Sequence, residues 1–232
     1  MEKSKKIINL FYPNYKDVGY FFKKYLDKYV TKDALLLDIG CGRQSFGDEY
    51  YKKAKYKVGV DPDEEALKDN KLMDKKVCSD IENIPQSLGK FDVIIAQWVL
   101  EHIQNPKEDM KKIGSLCNKD GHFIFMTTNI YSPVTLISKV LSTGIKKKLR
   151  RKLFNIDEED TYPTVYKINS ASKIDYFLKE AGFEKVDIKK VGVLTYFSWN
   201  DFVLVGKIFF DKTIGRLNIL PKTHIVGVYK KI

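Results

Sequence analysis

The sequence predicts an α/β fold, a doubly wound Rossmann-like sheet that is mostly parallel. Two observations carry that expectation. Short, unbroken apolar runs recur at the interval of a βαβ unit, and each ends in polar or glycine residues. Runs of that kind fit strands buried on both faces, as in parallel sheets. Between them lie stretches with helical spacing and helix-start signals. Strands alternating with helices give a doubly wound sheet.

Each element follows in order. The chain is aromatic and basic up to Val30, and Tyr15, Phe22, Tyr25 and Tyr29 recur at near-helical spacing, so residues 1–30 are expected to pack over the core as a helical segment. Residues 34–39 form the first apolar run, which leads into Asp38-Ile39-Gly40-Cys41-Gly42. Residues 57–60 end at Asp61, 76–79 at Asp80, 91–96 near Gln97, and 122–126 at Thr127 and Thr128. Residues 46–53, 64–70 and 106–116 read as the helices between them. The last has Asn105 as N-cap, Pro106 at its first position, and Glu108 and Asp109 in its first turn. After Asn129 the pattern breaks. Residues 130–165 hold no convincing strand, a basic run at 146–152 and an acidic run at 157–160. Leu141, Ile145, Leu149 and Leu153 repeat every four residues there, so a helical basic insertion is expected to fold over the site as a lid. Alternation resumes with a helix at 171–181 between Ser170 and Gly182, a strand at 186–191 and a last strand at 224–229. No repeat or linker divides residues 1–232, and a single domain is expected.

Composition narrows the classes. With 232 residues, 44% hydrophobic, the chain has material for a proper core, which excludes a wholly disordered protein. A net charge of +11 suits anionic partners: nucleic acid, acidic lipid head groups or phosphorylated small molecules. Cys41, Cys78 and Cys117 form no C-x-x-C pair, which argues against structural zinc and a disulfide framework and for a reducing compartment. No window approaches the ~20 apolar residues of a membrane helix. The closest, 194–210, is broken by Asn200, Asp201 and Lys207. A cytoplasmic protein is expected. The basic run beside an apolar stripe, thickened by Tyr196, Phe197, Trp199, Phe202, Phe209 and Phe210, suits peripheral attachment to an anionic inner membrane surface.

The chemistry lies at residues 35–43. A glycine turn after a buried strand lets backbone approach a ligand where Cβ atoms would obstruct it. Asp61 follows Gly42 by 19 residues, at the end of the second strand, where a carboxylate can accept from a ribose diol. Of the dinucleotide pattern G-x-G-x-x-G, Gly40 and Gly42 are present, but Ser45 stands at the third position. Asp38 would repel a pyrophosphate in a poorly solvated crevice. It suits a ligand with a cationic group, and S-adenosylmethionine, with an ammonium and a sulfonium and no phosphate, fits better than a nicotinamide dinucleotide.

The same residues resemble the class I S-adenosylmethionine-dependent methyltransferases. Residues 37–42, Leu-Asp-Ile-Gly-Cys-Gly, are similar to that family's first motif, and 58–61 to its second. Residues 78–85 resemble its adenine-contacting segment, with Asp80 toward the exocyclic amine and Ile81 on the ring, and 91–103 its fourth-strand motif. The resemblance implies a seven-stranded sheet with an antiparallel last strand. It also implies in-line methyl transfer without metal, and a cofactor site of Asp38, Gly40, Cys41, Gly42, Asp61, Pro62, Asp80, Ile81 and Gln97. His102, at the rim, is the candidate general base. Thr128 and Asn129 at the end of the fifth strand, and Tyr166, are candidates for acceptor contacts. His122 and His224 read as structural. The sequence departs from the family at Asp120, where proline is frequent, and lacks the N-P-P-Y tetrapeptide of base-amino methylation. Residues 161–170 and the tail around Pro221, His224 and Gly227 resemble methyltransferases associated with glycan and polysaccharide biosynthesis, implying O-methylation of a small molecule or cell-surface glycan precursor. The alternatives are RNA methylation and a non-catalytic membrane-surface module.

Overall fold

A computed structural model describes residues 2–43, 47–133, 135–136, 163–192, 194, 200–213 and 221–232. The basic run at 146–152, the stripe from Leu141 to Leu153, the acidic run at 157–160, and Tyr196, Phe197 and Trp199 lie outside the described residues.

The strands are β1 (Leu35–Ile39), β2 (Tyr56–Asp61), β3 (Lys75–Cys78), β4 (Phe91–Gln97), β5 (Cys117–Thr128), β6 (Phe183–Val191) and β7 (His224–Lys231). They form one seven-stranded sheet in the order β3-β2-β1-β4-β5-β7-β6. Neighbours are parallel except at β7, which runs antiparallel to β5 and β6. This is the expected architecture. The helices are α1 (Glu2–Phe11), α2 (Val18–Tyr29), α3 (Asp48–Tyr51), α4 (Glu64–Asp69), α5 (Pro106–Leu116), α6 (Ala171–Glu180) and α7 (Asp201–Thr213). No helix among the described residues is long and apolar enough to cross a membrane.

Both faces of the sheet are covered, which is why β1 and β4 read as continuous apolar runs. On one face Phe22, Tyr25 and Leu26 of α2 pack on Leu36, Val93, Ile95, Ile124 and Val228. On the other, Met110, Ile113 and Leu116 of α5 and Ile174 and Leu178 of α6 pack on Leu37, Ile94, Phe123, Phe125 and Phe183.

Three local features differ from the sequence reading. The amino-terminal segment is two helices, because Pro13 and Asn14 interrupt it and Asp17 starts α2 afresh, accepting from Tyr20 N at 2.8 Å. Tyr15 therefore lies in the turn, where its hydroxyl donates to Gly192 O at 3.2 Å and accepts from Leu194 N at 3.0 Å. Asn105 stands at the N-cap position of α5 but its side chain makes no capping bond; only its carbonyl, accepting from Asp109 N at 2.9 Å, starts the helix. Asp120 adopts φ +64°, a left-handed conformation closed to proline, whose ring fixes φ at about −65°. Asp120 lies within β5, where pairing with β4 shifts register between Phe91 and Val93, and it forms an ion pair with Lys230 at 2.6 Å.

Phe123 is fully buried and packs its ring on Phe125 at 5.6 Å and Phe183 at 6.1 Å. Replacing Phe123 with Ala is expected to remove about 3–5 kcal/mol of stability, read from the urea midpoint at unchanged m-value.

Candidate cofactor and acceptor site

The site begins where β1 ends. Gly40 N and Cys41 N donate to Val60 O at 2.7 and 3.3 Å, which pins the turn over β2. Gly40 has φ +69° and Gly42 φ +47°, and a Cβ at Gly40 would overlap the Val99 side chain. Glycine is therefore required there by backbone and by space. Asp61 lies beneath the turn and accepts from Gly42 N and Asp63 N, both at 2.9 Å. Asn70, which the sequence reading passed over, is fully buried and donates from Nδ2 to Gly42 O at 2.9 Å. Only the tertiary fold brings this helix-end residue to the turn.

Asp38 is 1% exposed, and neither carboxylate oxygen has a hydrogen-bond partner. Burial holds its pKa well above the usual carboxylate range, and the negative charges of Asp48 and Asp61 add to the shift; the nearby Tyr51 hydroxyl counters part of it. That hydroxyl also accepts from Gln97 Nε2 at 3.1 Å, so the predicted residues of β1 and β4 meet around Tyr51. The Cys41 thiol is buried and pushed up by desolvation, then by Asp38 and Asp61, so it stays neutral.

A cavity of ≈ 400 Å³ opens from this turn across the carboxyl ends of β1, β2 and β4. It brings together Gly40, Pro62, Asp80, Ile81 and His102 of the predicted residues, and adds Val99, Ile103, Asn105 and Asp109. Asp80 accepts from Asn83 N at 3.0 Å and Asn83 Nδ2 at 2.8 Å. Asp109 is pushed up to about 6, mainly by burial, with Glu82 and Asp80 contributing. In the sequence it looks like an ordinary helix-start acid. Among the described residues, no group of three or more His, Cys, Asp or Glu is arranged to hold a metal ion.

His102 lies in the turn between β4 and α5, not on a helix, and its Nδ1 is 2.8 Å from Pro163 O. A carbonyl only accepts, so Nδ1 carries a proton and a neutral ring would hold its lone pair on Nε2.

Thr128, Asn129 and Tyr166 stand apart from the cavity lining. Thr128 Oγ1 is buried without a hydrogen-bond partner. The Asn129 amide is engaged in the turn, donating to Lys222 O at 2.7 Å and accepting from Tyr131 N at 3.2 Å. These bonds use one of the two N–H groups of the amide. Tyr166, with φ +53°, donates its N–H to Glu101 O at 3.1 Å, as does Val165 at 2.8 Å. Glu101 was not anticipated. Its buried carboxylate accepts from Thr127 Oγ1 at 2.6 Å, and Thr127 Oγ1 accepts from Asn169 Nδ2 at 2.6 Å. The sequence shows only an acid before His102. His224 packs edge-on to Trp98 at 4.9 Å and is pushed down to about 4 by burial.

Burial pushes Glu101 up to about 7. Its folded-state pKa is raised, so as pH rises from the ordinary Glu range toward about 7 the unfolded chain loses this proton while the folded protein keeps it, and stability falls. Exchanging Glu101 for Gln should therefore raise the stability of the variant relative to the native chain by roughly 2–3 kcal/mol more at pH 8 than at pH 5, in paired urea titrations. A difference independent of pH would contradict the assignment.

Comparison with known proteins agrees with this geometry. A family model described as a methyltransferase domain matches residues 16–188. A ubiquinone biosynthesis O-methyltransferase of Coxiella burnetii (strain Dugway 5J108-111) is 28% identical over 114 residues, covering 46% of this chain and 49% of that protein. The chain thus spans about half the length of the first curated relatives it matches. An S-adenosylmethionine-dependent methyltransferase structure from Mesorhizobium loti superposes with a TM-score of 0.59 at 14% identity, covering 92% of this chain and 98% of the other. Magnesium protoporphyrin IX methyltransferase from Synechocystis PCC 6803, solved with bound S-adenosylhomocysteine, gives 0.58 at 12% identity, covering 92% and 83%. With the family model spanning well over half of its residues, the chain belongs to the methyltransferase-domain family.

Proposed function

We propose that this chain binds S-adenosylmethionine at the glycine turn and transfers its methyl group to a hydroxyl of a small-molecule acceptor. One observation carries the reading: the Asp38 carboxylate, buried at the turn with neither oxygen bonded. A buried carboxylate without a partner is costly, and a cationic ligand group relieves that cost. The residues therefore fit the cofactor. When bound, it supplies an activated methyl on a sulfonium leaving group.

The chain's own residues have the remaining tasks. Gly40 and Gly42 leave room for close approach. Asp61, already oriented by Gly42 N and Asp63 N, offers its remaining lone pairs to the ribose diol. Asp80 and Ile81 form the adenine end of the cavity, with Asp109 beside them. His102, its Nδ1 proton held by Pro163 O, is placed to take a proton through Nε2. Thr128, whose Oγ1 has no hydrogen-bond partner, and Asn129 at the end of β5, with Tyr166, are the residues assigned to the acceptor. Positioning of the two reactants then supplies most of the rate. The O-methyl assignment draws on the name of the Coxiella relative; that name carries no glycan, and the acceptor proposed is accordingly the broader class.

Titration calorimetry with S-adenosylhomocysteine tests the reading. The folded protein is expected to bind, and Asp61→Ala to weaken binding by roughly 1–3 kcal/mol through loss of a charged hydrogen-bond partner. No binding by a folded sample, or unchanged affinity in the variant, would overturn the site.

A further inference from the structure

Helix α7 is apolar on two sides. Leu204 and Ile208 face inward, buried with Ile8 of α1 and Leu194. A surface helix normally turns its opposite side to water with charged residues. Here that side carries Phe202, 89% exposed, Val205, 41% exposed, and Phe209, 70% exposed, at a spacing that places them on one face. Beside it, α1 exposes Leu10 at 78%.

Cations rim this surface. Lys3 pairs with Asp201 at 2.8 Å at one end of the α1–α7 seam. At the other end Lys212 lies over the rings of Phe11 and Tyr12 at 5.2 and 5.5 Å. Residues 2–17 hold Lys3, Lys5, Lys6 and Lys16 against Glu2 and Asp17, and α7 carries Lys207 and Lys212 against Asp201 and Asp211, within a chain of net charge +11. Its position ties it to the site. Val191 at the end of β6 pairs with His224, and His224 with Thr128, so the chain leaves β6 at the carboxyl end of β5. Tyr15 fastens the α1–α2 turn to that point through Gly192 O and Leu194 N. The apolar face thus lies at the end of the sheet that holds the glycine turn and Thr128, where ligands of such sheets bind.

We propose that the α1–α7 face docks the protein on an anionic bilayer, with Leu10, Phe202, Val205 and Phe209 entering the boundary of head groups and acyl chains, lysines meeting lipid phosphates, and the acceptor presented there as an amphiphile. The amphiphilic acceptor rests on the methyl-transfer reading; the docking surface does not. Apolar insertion and lysine attraction act together in such binding. A second copy of the same face is disfavoured, because two-fold pairing would set lysine rim against lysine rim.

Co-sedimentation of the full chain with vesicles tests the proposal. Binding is expected to phosphatidylcholine vesicles containing phosphatidylglycerol, much less to phosphatidylcholine alone, and to fall as salt rises. The double variant Phe202→Asp with Phe209→Asp should bind the anionic vesicles at least about tenfold more weakly. It should retain its circular dichroism and its affinity for S-adenosylhomocysteine. Failure of the native chain to bind anionic vesicles, or equal binding by the variant, would overturn it. So would a dimer in solution that the variant dissociates, since the face would then belong to a second copy. Vesicle binding by a chain that does not bind S-adenosylhomocysteine would uphold the docking surface and sink the methyl-transfer reading instead.

Discussion

A buried carboxyl group whose oxygens form no hydrogen bond, and which only the nearby Tyr51 hydroxyl eases, stands at the end of β1. Burial of such a charge costs several kcal/mol after relaxation, a sizeable share of a domain's net stability of about 5–15 kcal/mol. Asp38 is held there by the surrounding structure. β1 is paired to β2 and β4, the Gly40–Gly42 turn is sewn to Val60, Asp61 and Asn70, and the Tyr51 hydroxyl lies near the carboxyl. These are strong constraints around a destabilising group. They make sense together if the group's partner arrives from outside, carrying positive charge.

The rest of the molecule serves that turn. The order β3-β2-β1-β4-β5-β7-β6 brings the ends of β1, β2 and β4 to one edge, where the cavity lies. The loop after β4 forms a wall of that cavity through Val99, His102 and Ile103. Its outer side is tied to residues 163–167 by His102, by the Glu101 carbonyl, and by Lys167 Nζ donating to Gln104 O at 2.7 Å. The Glu101 side chain fastens the same loop to β5 through Thr127 and Asn169. Cofactor cavity, strand ends and the return from the insertion are therefore one connected unit.

Much of this was legible in the sequence because it depends on local pattern. Apolar runs mark strands buried on both faces, and Pro106–Leu116 was found to the residue. Asp38, Gly40, Gly42 and Asp61 were visible because strand-turn-strand spacing alone brings them together. What escaped depends on long-range packing. Asn70 clamps the turn from a helix end, and Glu101 meets Thr127, which in turn meets Asn169, only once β4 and β5 are adjacent. Tyr15 looked like part of a helical stripe until Pro13 and Asn14 broke it. The bonds of the Asn129 amide to Lys222 and Tyr131 likewise form only in the folded turn, which a residue count cannot reveal. The two sides of α7 were also invisible, since periodicity shows where apolar residues fall and not which of them find a partner.

The central claim is that an external cation completes Asp38. In the free protein, burial favours the protonated acid; a positively charged ligand beside it favours the carboxylate. Binding should then expel a proton. Calorimetric titration with S-adenosylmethionine in buffers of different ionisation enthalpy, over a pH series running upward from the ordinary carboxylate range, counts that proton. Net release on binding is expected within that series, and its loss in the Asp38→Asn variant. Binding with no linked proton over that range, or the same release in the variant, would contradict it.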